Sequence, residues 1–227
     1  MLYDEMTAAV QRVSRRLRET ADEYRTPLDN LPWRRERTPY RVFLAEMLLV
    51  RTRTDVVARL FDSLVSRYPD IRALAHADQG QLANDLEPLG LRKRVPLIQK
   101  AAKHIVEQHC GIVPRTVEEL ISVPGLGLYT ATAIAAFAYD SSEVPADVNI
   151  LRFLSRITGL PMKHPTKGSE DLRALLPHLS RDLDGPESES LLDFTRLVCK
   201  PRHPKCEVCP IRDDCAHYRS SVCVTGS

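Results

Sequence analysis

Residues 120–135 read Leu-Ile-Ser-Val-Pro-Gly-Leu-Gly-Leu-Tyr-Thr-Ala-Thr-Ala-Ile-Ala, and they hold a sharp break between two runs that favour helix. We expect a short helix to end near Val123, because Pro124 and Gly125 begin a tight turn that a helix cannot continue through. After Gly127 the residues are mostly small and apolar, which predicts a second helix. The segment from about 120 to 136 therefore predicts a helix-hairpin-helix.

The glycines of this turn bear on what it can bind. Gly125 and Gly127 allow positive φ values and leave the backbone N–H groups uncovered. At the start of the second helix such groups can bind a phosphate, since the first amides of a helix have no acceptor inside it. The turn Pro124-Gly125-Leu126-Gly127 thus predicts a sequence-independent contact with a DNA backbone, although an ordinary corner between two helices can have the same pattern.

A second pattern lies near the end of the sequence, where five of the six cysteines fall within the last 29 residues. Four of them, Cys199, Cys206, Cys209 and Cys215, form a C-x6-C-x2-C-x5-C pattern. Four thiolates joined by such short loops can converge on one metal centre. The residues around them are polar and poor in apolar side chains, so this region needs a group at its centre to hold its shape.

The spacing also bears on the kind of centre. A disulfide framework is not expected, because nothing at the N-terminus suggests secretion. Zinc usually has paired C-x2-C knuckles, and only Cys206 and Cys209 are spaced in that way. A [4Fe-4S] cluster accepts unequal arms, since each thiolate binds its own iron. The pattern favours the cluster, with zinc as the alternative. Cys110 and Cys223 have no partner at ligand spacing, so we expect them to be small buried apolar residues.

An aspartate stands between these two patterns, in Pro145-Ala146-Asp147-Val148-Asn149, just before an amphipathic run that continues through Ile157. Asp147 is a natural N-cap for that helix. A carboxylate that caps a helix can also be catalytic. The presence of the hairpin and the four cysteines in the same sequence favours a catalytic role for Asp147.

The rest of the chain reads as helix, with little of the alternation typical of strands. Thr38 and Pro39 predict the N-cap and the first residue of one helix. We expect helices over 7–23, 40–50, 54–67, 79–87, 92–109, 116–122, 128–139, 148–158, 170–182 and 187–198, with loops at 24–38 and 159–169. The predicted fold class is all-α.

Composition excludes several classes of protein. The 227 residues are 43% hydrophobic and 27% charged, values that are ordinary for a globular chain and unlike those of disordered or collagen-like sequences. No apolar run approaches the roughly 18–20 residues that span a bilayer, and the N-terminus lacks the features of a secretory leader. The formal net charge of +2 is too mild to indicate a nucleic-acid partner by itself. We expect a cytoplasmic protein with no membrane partner.

In combination, the motifs from Leu31 to Cys215 resemble those of the iron-sulfur helix-hairpin-helix DNA glycosylases of the endonuclease III superfamily. They are Leu31-Pro32-Trp33, Thr38-Pro39-Tyr40, Ala45-Glu46-Met47-Leu48-Leu49, the hairpin, Asp147 and the four cysteines. The resemblance implies two helical domains flanking a DNA-binding groove: a six-helix barrel over 28–140, and an iron-sulfur cluster domain over 1–27 and 141–227. It also implies a monomer associated with the prokaryotic nucleoid. The partner would be double-stranded DNA with a mismatched or deaminated base, which is flipped into a pocket.

The residue two positions after Gly127 separates the branches of this superfamily. A Lys there would attack the sugar, form a Schiff base and permit strand cleavage. Here the residue is Tyr129, which has no amine, so we expect a monofunctional enzyme with water as nucleophile and an abasic site as product. Together with Glu46, Asp147 and Asn149, Tyr129 is most similar to the mismatch-specific thymine or uracil DNA glycosylases of prokaryotes. The resemblance thus implies removal of thymine or uracil opposite guanine.

The resemblance also implies roles for single residues. Asp147 would stabilise positive charge on the sugar and orient or deprotonate the water, with support from Asn149. Tyr129 would stack on the flipped base or donate a hydrogen bond to it. Glu46 would bond the pyrimidine N3–H or hold a water, unless it is a buried carboxylate paired with an arginine. DNA contacts are expected at Pro124, Gly125, Leu126, Gly127 and Thr130, and cluster ligands at Cys199, Cys206, Cys209 and Cys215.

Two basic segments would add to the DNA contacts. Arg51 would fill the gap left by the flipped base and bind the orphan guanine, with Arg53 as its rival. The segment Leu89-Gly90-Leu91, followed by Arg92-Lys93-Arg94, resembles a second and weaker hairpin. A solvated basic helix start explains that segment equally well.

Three other functions stay open at this point. An adenine glycosylase acting on A opposite G or oxidised G fits if its reader domain is missing, which we expect because the sequence ends about 12 residues after Cys215. A glycosylase for another damaged pyrimidine also fits, because the pocket cannot be read from sequence. The last is a non-catalytic iron-sulfur DNA-binding protein, against which the Asp147 motif argues.

Overall fold

The computed structural model of this chain describes residues 2–20, 30–162, 169–181 and 183–225, except for the side chains of residues 2 and 221–225. The α-helices of the described part are α1 (Leu2–Glu19), α2 (Pro32–Arg35), α3 (Pro39–Leu48), α4 (Thr54–Arg67), α5 (Ile71–His76), α6 (Gln79–Asp85), α7 (Val95–Gln108), α8 (Val117–Ser122), α9 (Leu128–Tyr139), α10 (Val148–Thr158), α11 (Glu170–Ala174), α12 (Leu176–Ser180), α13 (Gly185–Leu197) and α14 (Ala216–Thr225). No described residue lies in a strand, and the predicted all-α fold class is confirmed.

The long helices begin and end close to where the sequence placed them. Helices α4, α9 and α10 have the predicted limits, and Thr38 caps α3 by accepting a hydrogen bond from the Arg41 amide at 3.3 Å. Trp33 and Tyr40 are packing residues: Trp33 stacks edge-on against Phe61, and the Tyr40 hydroxyl donates to the carbonyl of Tyr68. These elements follow from apolar period and capping chemistry alone.

Four predicted segments differ in the structure. The helix expected over 170–182 is split into α11 and α12, because Pro177 has no amide to donate and stands in the first turn of a new helix. The helix expected from 92 begins as a 3-10 turn, Arg92–Arg94, and α7 follows with Pro96 in its first turn. The predicted loop over 24–38 contains α2. The helix expected over 7–23 begins at residue 2, as α1. Residues 21–29 and 163–168 of these predictions lie outside the described part.

The chain divides into two compact units. The central unit is Asp29–Tyr139, and the terminal unit is Met1–Leu28 together with Asp140–Ser227. The sequence placed the corresponding limits at 28 and 140. The identification of the central unit as a six-helix barrel, and of the terminal unit as a cluster domain, stays a prediction.

The core of the central unit is built around α9. This helix is apolar on nearly every side, with buried residues from Thr130 to Phe137, and its small side chains allow α3 to pack closely against it. Helix α3 buries every residue from Val42 to Leu48, including Glu46. The packing of α5 on α7 closes the other part of this core.

The core of the terminal unit is built around α10, which packs against α1, α11, α13 and α14. Its apolar side is fully buried, and Phe153 meets Phe194 of α13 edge to face at 5.7 Å between ring centroids. The opposite side of α10 carries Arg152 and Arg156, whose side chains reach the cysteine region. Among the described residues, no helix is both long and apolar enough to cross a membrane.

Candidate functional site

The hairpin turn has the geometry that the sequence predicts. Helix α8 ends at Ser122, Gly125 has a φ of 87°, and α9 starts at Leu128. The turn is closed by a hydrogen bond from the Leu126 amide to the carbonyl of Val123 at 3.2 Å. The turn and the start of α9 therefore form one compact corner.

The two glycines of the turn do different work. A Cβ on Gly125 would lie 2.8 Å from Cγ of Leu97, and its positive φ strongly favours glycine. A Cβ on Gly127 would have no atom of the chain within 4 Å, and Gly127 is exposed. The positive φ thus makes a glycine strongly favoured at 125, whereas Gly127, directly before the first amides of α9, leaves the space beside its own backbone open. That space suits a phosphate, since those amides have no acceptor within the helix.

Asp147 caps α10, as its place in the sequence predicts. Its Oδ1 accepts hydrogen bonds from the amides of Asn149 and Ile150 at 2.8 and 2.9 Å. Its Oδ2 accepts one from Nδ2 of Asn149 at 2.7 Å and faces Nη2 of Arg196 at 3.6 Å. These hydrogen bonds hold the carboxylate in one orientation. Because the side chain is 19% exposed, the carboxylate can still be reached from outside.

Asn149 connects Asp147 to the cysteine region through Arg152. Nη1 of Arg152 donates to Oδ1 of Asn149 at 2.9 Å, and Nη2 donates to the carbonyls of Thr195 and Cys199, both at 2.9 Å. Burial is the main cause that lowers the pKa of Arg152 from its usual range. All three polar arms of this guanidinium are bonded, which makes it a rigid link between helix α10 and the end of α13.

The four cysteines line one cavity. Cys199 follows α13, Cys206 and Cys209 bracket a 3-10 turn, and Cys215 follows another turn before α14. The lining includes three basic residues, Arg156, Lys205 and Arg212, and no described carboxylate. Nη1 of Arg156 lies 3.3 Å from Sγ of Cys199. Four thiols inside a positive rim fit an anionic iron-sulfur cluster, because the rim offsets the charge of the thiolates.

The arrangement differs from that of a single metal ion. The described residues contain no group of three His, Cys, Asp or Glu side chains around one ion position. In a [4Fe-4S] cluster each thiolate binds a different iron, so the four sulfur atoms stand farther apart than around one ion. Without a metal, burial raises the pKa of the Cys209 thiol to about 11 and also raises the pKa values of Cys206 and Cys215. When bound, the cluster would tie the loops of this region together.

The other predicted site residues lie in the central unit. Tyr129 is half-buried in the first turn of α9, Thr130 is buried beside it, and Glu46 is 8% exposed on α3. Because α3 and α9 pack on each other, Glu46 and Tyr129 belong to neighbouring helices of one core. The expectation of a buried Cys110 is wrong: it is exposed, in a turn after α7 where its φ is 55°. The side chain of Cys223 lies outside the described residues.

The turn between α3 and α4 separates the two candidate arginines. Arg53 is paired with its neighbour Asp55, through Nε and Nη2 at 3.0 Å each. Arg51 is exposed with a φ of 62°, and within the described residues it forms no ion pair. Burial, followed by the positive charge of Arg51, lowers the pKa of Arg94. Arg51 and Arg94 thus present two like charges together, which suits an anionic or electron-rich partner.

Three basic residues of this site were missed by the sequence interpretation: Arg152, Arg156 and Arg196. The spacing of Arg152 and Arg156, four residues apart on an amphipathic helix, indicates that both project from one side. Arg196 carried no such signal, since its contact with Asp147 joins helices separated by 49 positions along the chain.

Comparison with known proteins gives two family matches. Residues 44–178 match the model described as HhH-GPD superfamily base excision DNA repair protein, and residues 199–215 match the iron-sulfur binding domain of endonuclease III. A solved structure called a thermostable thymine-DNA glycosylase has a TM-score of 0.82 and 24% identity, covering 94% of this chain and 98% of that one. That likeness concerns the fold.

Relatives with different names match at similar identity. Thymine-DNA glycosylase of Aeropyrum pernix is 31% identical over 84% of this chain and 88% of its own length. Endonuclease III of Thermotoga maritima is 30% identical over 82% of this chain and 86% of its own. Adenine DNA glycosylase of Mycolicibacterium smegmatis is 31% identical over 80% of this chain, which spans 62% of that relative.

Proposed function

Since this chain belongs to the HhH-GPD superfamily of base excision DNA repair proteins, we propose that it is a monofunctional DNA glycosylase that removes thymine or uracil opposite guanine. Its partner would be double-stranded DNA holding a mismatched or deaminated base, on which it acts as a monomer in the cytoplasm. The thymine-DNA glycosylase of Aeropyrum pernix supports the substrate class. The observation that carries the reaction type is the carboxylate of Asp147, which is held in place at the start of α10. The sequence adds that the hairpin position where a lysine would act is Tyr129, which has no amine.

Asp147 is the residue to which we assign the chemistry. Breaking the bond between base and sugar builds positive charge on the sugar, which a fixed carboxylate stabilises without having to reorganise. Three hydrogen bonds from Asn149 and Ile150 hold the carboxylate of Asp147; Oδ1 accepts two of them and Oδ2 accepts one. The same oxygen can orient a water or take a proton from it. Asn149 is a positioning residue in this account.

Tyr129 excludes a covalent route at the hairpin. A Schiff base requires a primary amine, and the phenol of Tyr129 offers none. The lysines that precede the hairpin in sequence, Lys93, Lys100 and Lys103, lie on or just before α7 and outside the motif. Water is then the nucleophile and an abasic site is the product. Tyr129 would stack on the flipped base, while Glu46 would bond the pyrimidine N3–H or hold a water.

The grip on DNA would come from the hairpin and from Arg51. The open space at Gly127 and the amides that start α9, with Thr130 in the same turn, form the phosphate contact. Arg51, rather than the paired Arg53, would read the orphan guanine, because a free guanidinium can donate two hydrogen bonds to O6 and N7. The four cysteines Cys199, Cys206, Cys209 and Cys215 would hold a [4Fe-4S] cluster.

A second candidate function is removal of adenine from mismatches with guanine or oxidised guanine. The observation that favours it is the 31% identity to an adenine DNA glycosylase. Asp147 would stabilise the sugar cation equally well when the base removed is adenine. The two candidate functions therefore differ only in the pocket that holds the base.

The test is a panel of duplexes in which the free base released is identified by chromatography. We expect thymine and uracil from G mismatches and no adenine; adenine as the sole product would replace the proposal by the second candidate. Asp147→Asn should lower the rate of base release by at least two orders of magnitude. The variant should still bind the same duplex, because Asn is as good an N-cap as Asp and the fold is kept. If no duplex releases a base, the proposal fails and a non-catalytic DNA-binding protein becomes the better description.

A further inference from the structure

The ion pair between Arg196 and Asp147 is loose. Nη2 of Arg196 lies 3.6 Å from Oδ2 of Asp147, beyond the usual hydrogen-bond length, and its side chain is 40% exposed. Asp147 keeps its three hydrogen bonds to α10 without this contact. Neither the cap of α10 nor the orientation of the carboxylate therefore depends on Arg196.

The same contact is badly placed for the reaction. On the proposed function, Oδ2 must face a sugar that gains positive charge in the transition state. An arginine that remains beside Oδ2 offsets the negative charge of the carboxylate. Its own positive charge also repels the cation that develops on the sugar. The contact therefore suits the protein without DNA better than the reacting complex.

Arg196 is the cation beside Asp147 that has freedom to move. The guanidinium of Arg152 is bonded to Asn149, Thr195 and Cys199 and cannot leave without breaking those bonds. Arg196 stands on the exposed side of α13 next to Leu197, while Val148 beside Asp147 is also exposed. The exposed neighbours of the loosely paired Arg196 and Asp147 are thus two apolar side chains, and apolar groups beside a guanidinium suit the sugar and the phosphate of a nucleotide.

A DNA phosphate is a strong competitor for such an arginine, because the guanidinium fork matches two phosphate oxygens at once. We propose that Arg196 pairs with Asp147 in the free protein and transfers to a backbone phosphate of bound DNA, which leaves Oδ2 open to the sugar. Arg196 is then a positioning residue that makes the carboxylate available only when DNA is in place. This inference rests on the proposed function of Asp147.

The test is a double-mutant cycle on DNA affinity, with a duplex that carries a tetrahydrofuran abasic analogue opposite guanine and cannot be turned over. Binding constants are measured over a range of salt for the full protein and for Asp147→Asn, Arg196→Ala and the double variant. Arg196→Ala should weaken binding about tenfold and reduce the salt slope by about one phosphate contact. Asp147→Asn should tighten binding several-fold, because it frees Arg196, and this gain should vanish in the Arg196→Ala background.

Two controls fix the interpretation. Arg196→Lys should restore the salt slope, because an ammonium also pairs with phosphate, whereas Arg196→Gln should not. Arg18→Ala removes another exposed, ion-paired arginine of the terminal unit and reports the effect of losing one such charge. An unchanged salt slope in Arg196→Ala, or an equal gain from Asp147→Asn in both backgrounds, overturns the transfer.

Single-turnover base release separates this inference from a fixed orienting role. The loss of affinity in Arg196→Ala should exceed any loss of the rate at saturating protein. A fall in that rate as large as the loss of affinity, or larger, means that Arg196 stays on Asp147 and overturns the inference. If the wild-type protein releases no base at all, the proposed function fails, while the binding cycle still decides whether Arg196 reaches a phosphate.

Discussion

The guanidinium of Arg152 donates two hydrogen bonds to the carbonyl of Cys199, from Nε at 3.2 Å and from Nη2 at 2.9 Å. Cys199 is the first of the four cysteines that line the cavity. The same guanidinium holds Asn149, which in turn holds Asp147. A single side chain therefore joins the backbone of the cysteine region to the carboxylate to which we assign the chemistry.

Replacing Arg152 should damage both ends of this link. Arg152→Gln removes the hydrogen bonds that Arg152 donates to the carbonyls of Thr195 and Cys199, of which Cys199 keeps the one from Arg156 at 3.3 Å. The change should lower the free energy of unfolding by roughly 2 kcal/mol. We also expect less cluster per protein, read from iron content and from absorbance near 400 nm, and slower base release because Asn149 loses its anchor. Arg18→Gln, which removes an exposed ion pair, should change the unfolding free energy by less than about 1 kcal/mol. Wild-type stability and cluster content in Arg152→Gln would refute the link.

The hairpin glycines offer a matched pair of variants. Gly125→Ala places a methyl group 2.8 Å from Leu97 at a positive φ, so it should destabilise the fold by about 1–3 kcal/mol. Gly127→Ala meets no atom of the chain within 4 Å, and its unfolding free energy should stay within about 0.5 kcal/mol of wild type. Its methyl group would nevertheless stand where a phosphate approaches, so duplex affinity should fall. Denaturant unfolding and fluorescence anisotropy measure the two effects; unimpaired duplex binding by Gly127→Ala would show that the turn is only a corner.

The buried thiol of Cys209 predicts a pH dependence for protein stripped of its metal. Burial raises the pKa of this thiol from 9.0 to about 11, so the folded chain keeps the proton when the unfolded chain has already lost it. The free energy of unfolding should therefore fall as pH rises through that window, and not below it. Thermal unfolding midpoints from pH 8 to 11 test this, and Cys209→Ser should flatten the decline. A midpoint independent of pH would mean that the cysteine region does not keep this thiol buried once its metal is removed.

Much of the fold follows from local sequence signals. The caps at Thr38 and Asp147, the period of α4 and the break at Pro124 each depend on a few neighbouring residues, and the structure has them where they were predicted. Helices α2, α5 and α14 escaped prediction because they are short or lie among cysteines, where apolar period is weak. Asp70, for instance, caps α5 by accepting from the Ala73 amide, a signal visible only once the helix is known.

The candidate site was only partly predictable, for a different reason. The four cysteines and Asp147 could be identified from the sequence by residue type and spacing. Arg152, Arg156 and Arg196 act through contacts between segments more than forty positions apart, such as Arg156 to Cys199, and no local pattern specifies which surface arginine makes them. The preference for one base over another lies in the shape of a pocket and not in a motif.

The most direct test of this account is borohydride trapping on a duplex with thymine or uracil opposite guanine. A Tyr129→Lys variant serves as positive control, since it places an amine where the motif would use one. For the wild-type protein we predict an alkali-labile site in the DNA and no covalent adduct after borohydride. A stable adduct between wild-type protein and DNA would contradict water as the nucleophile and Asp147 as its partner.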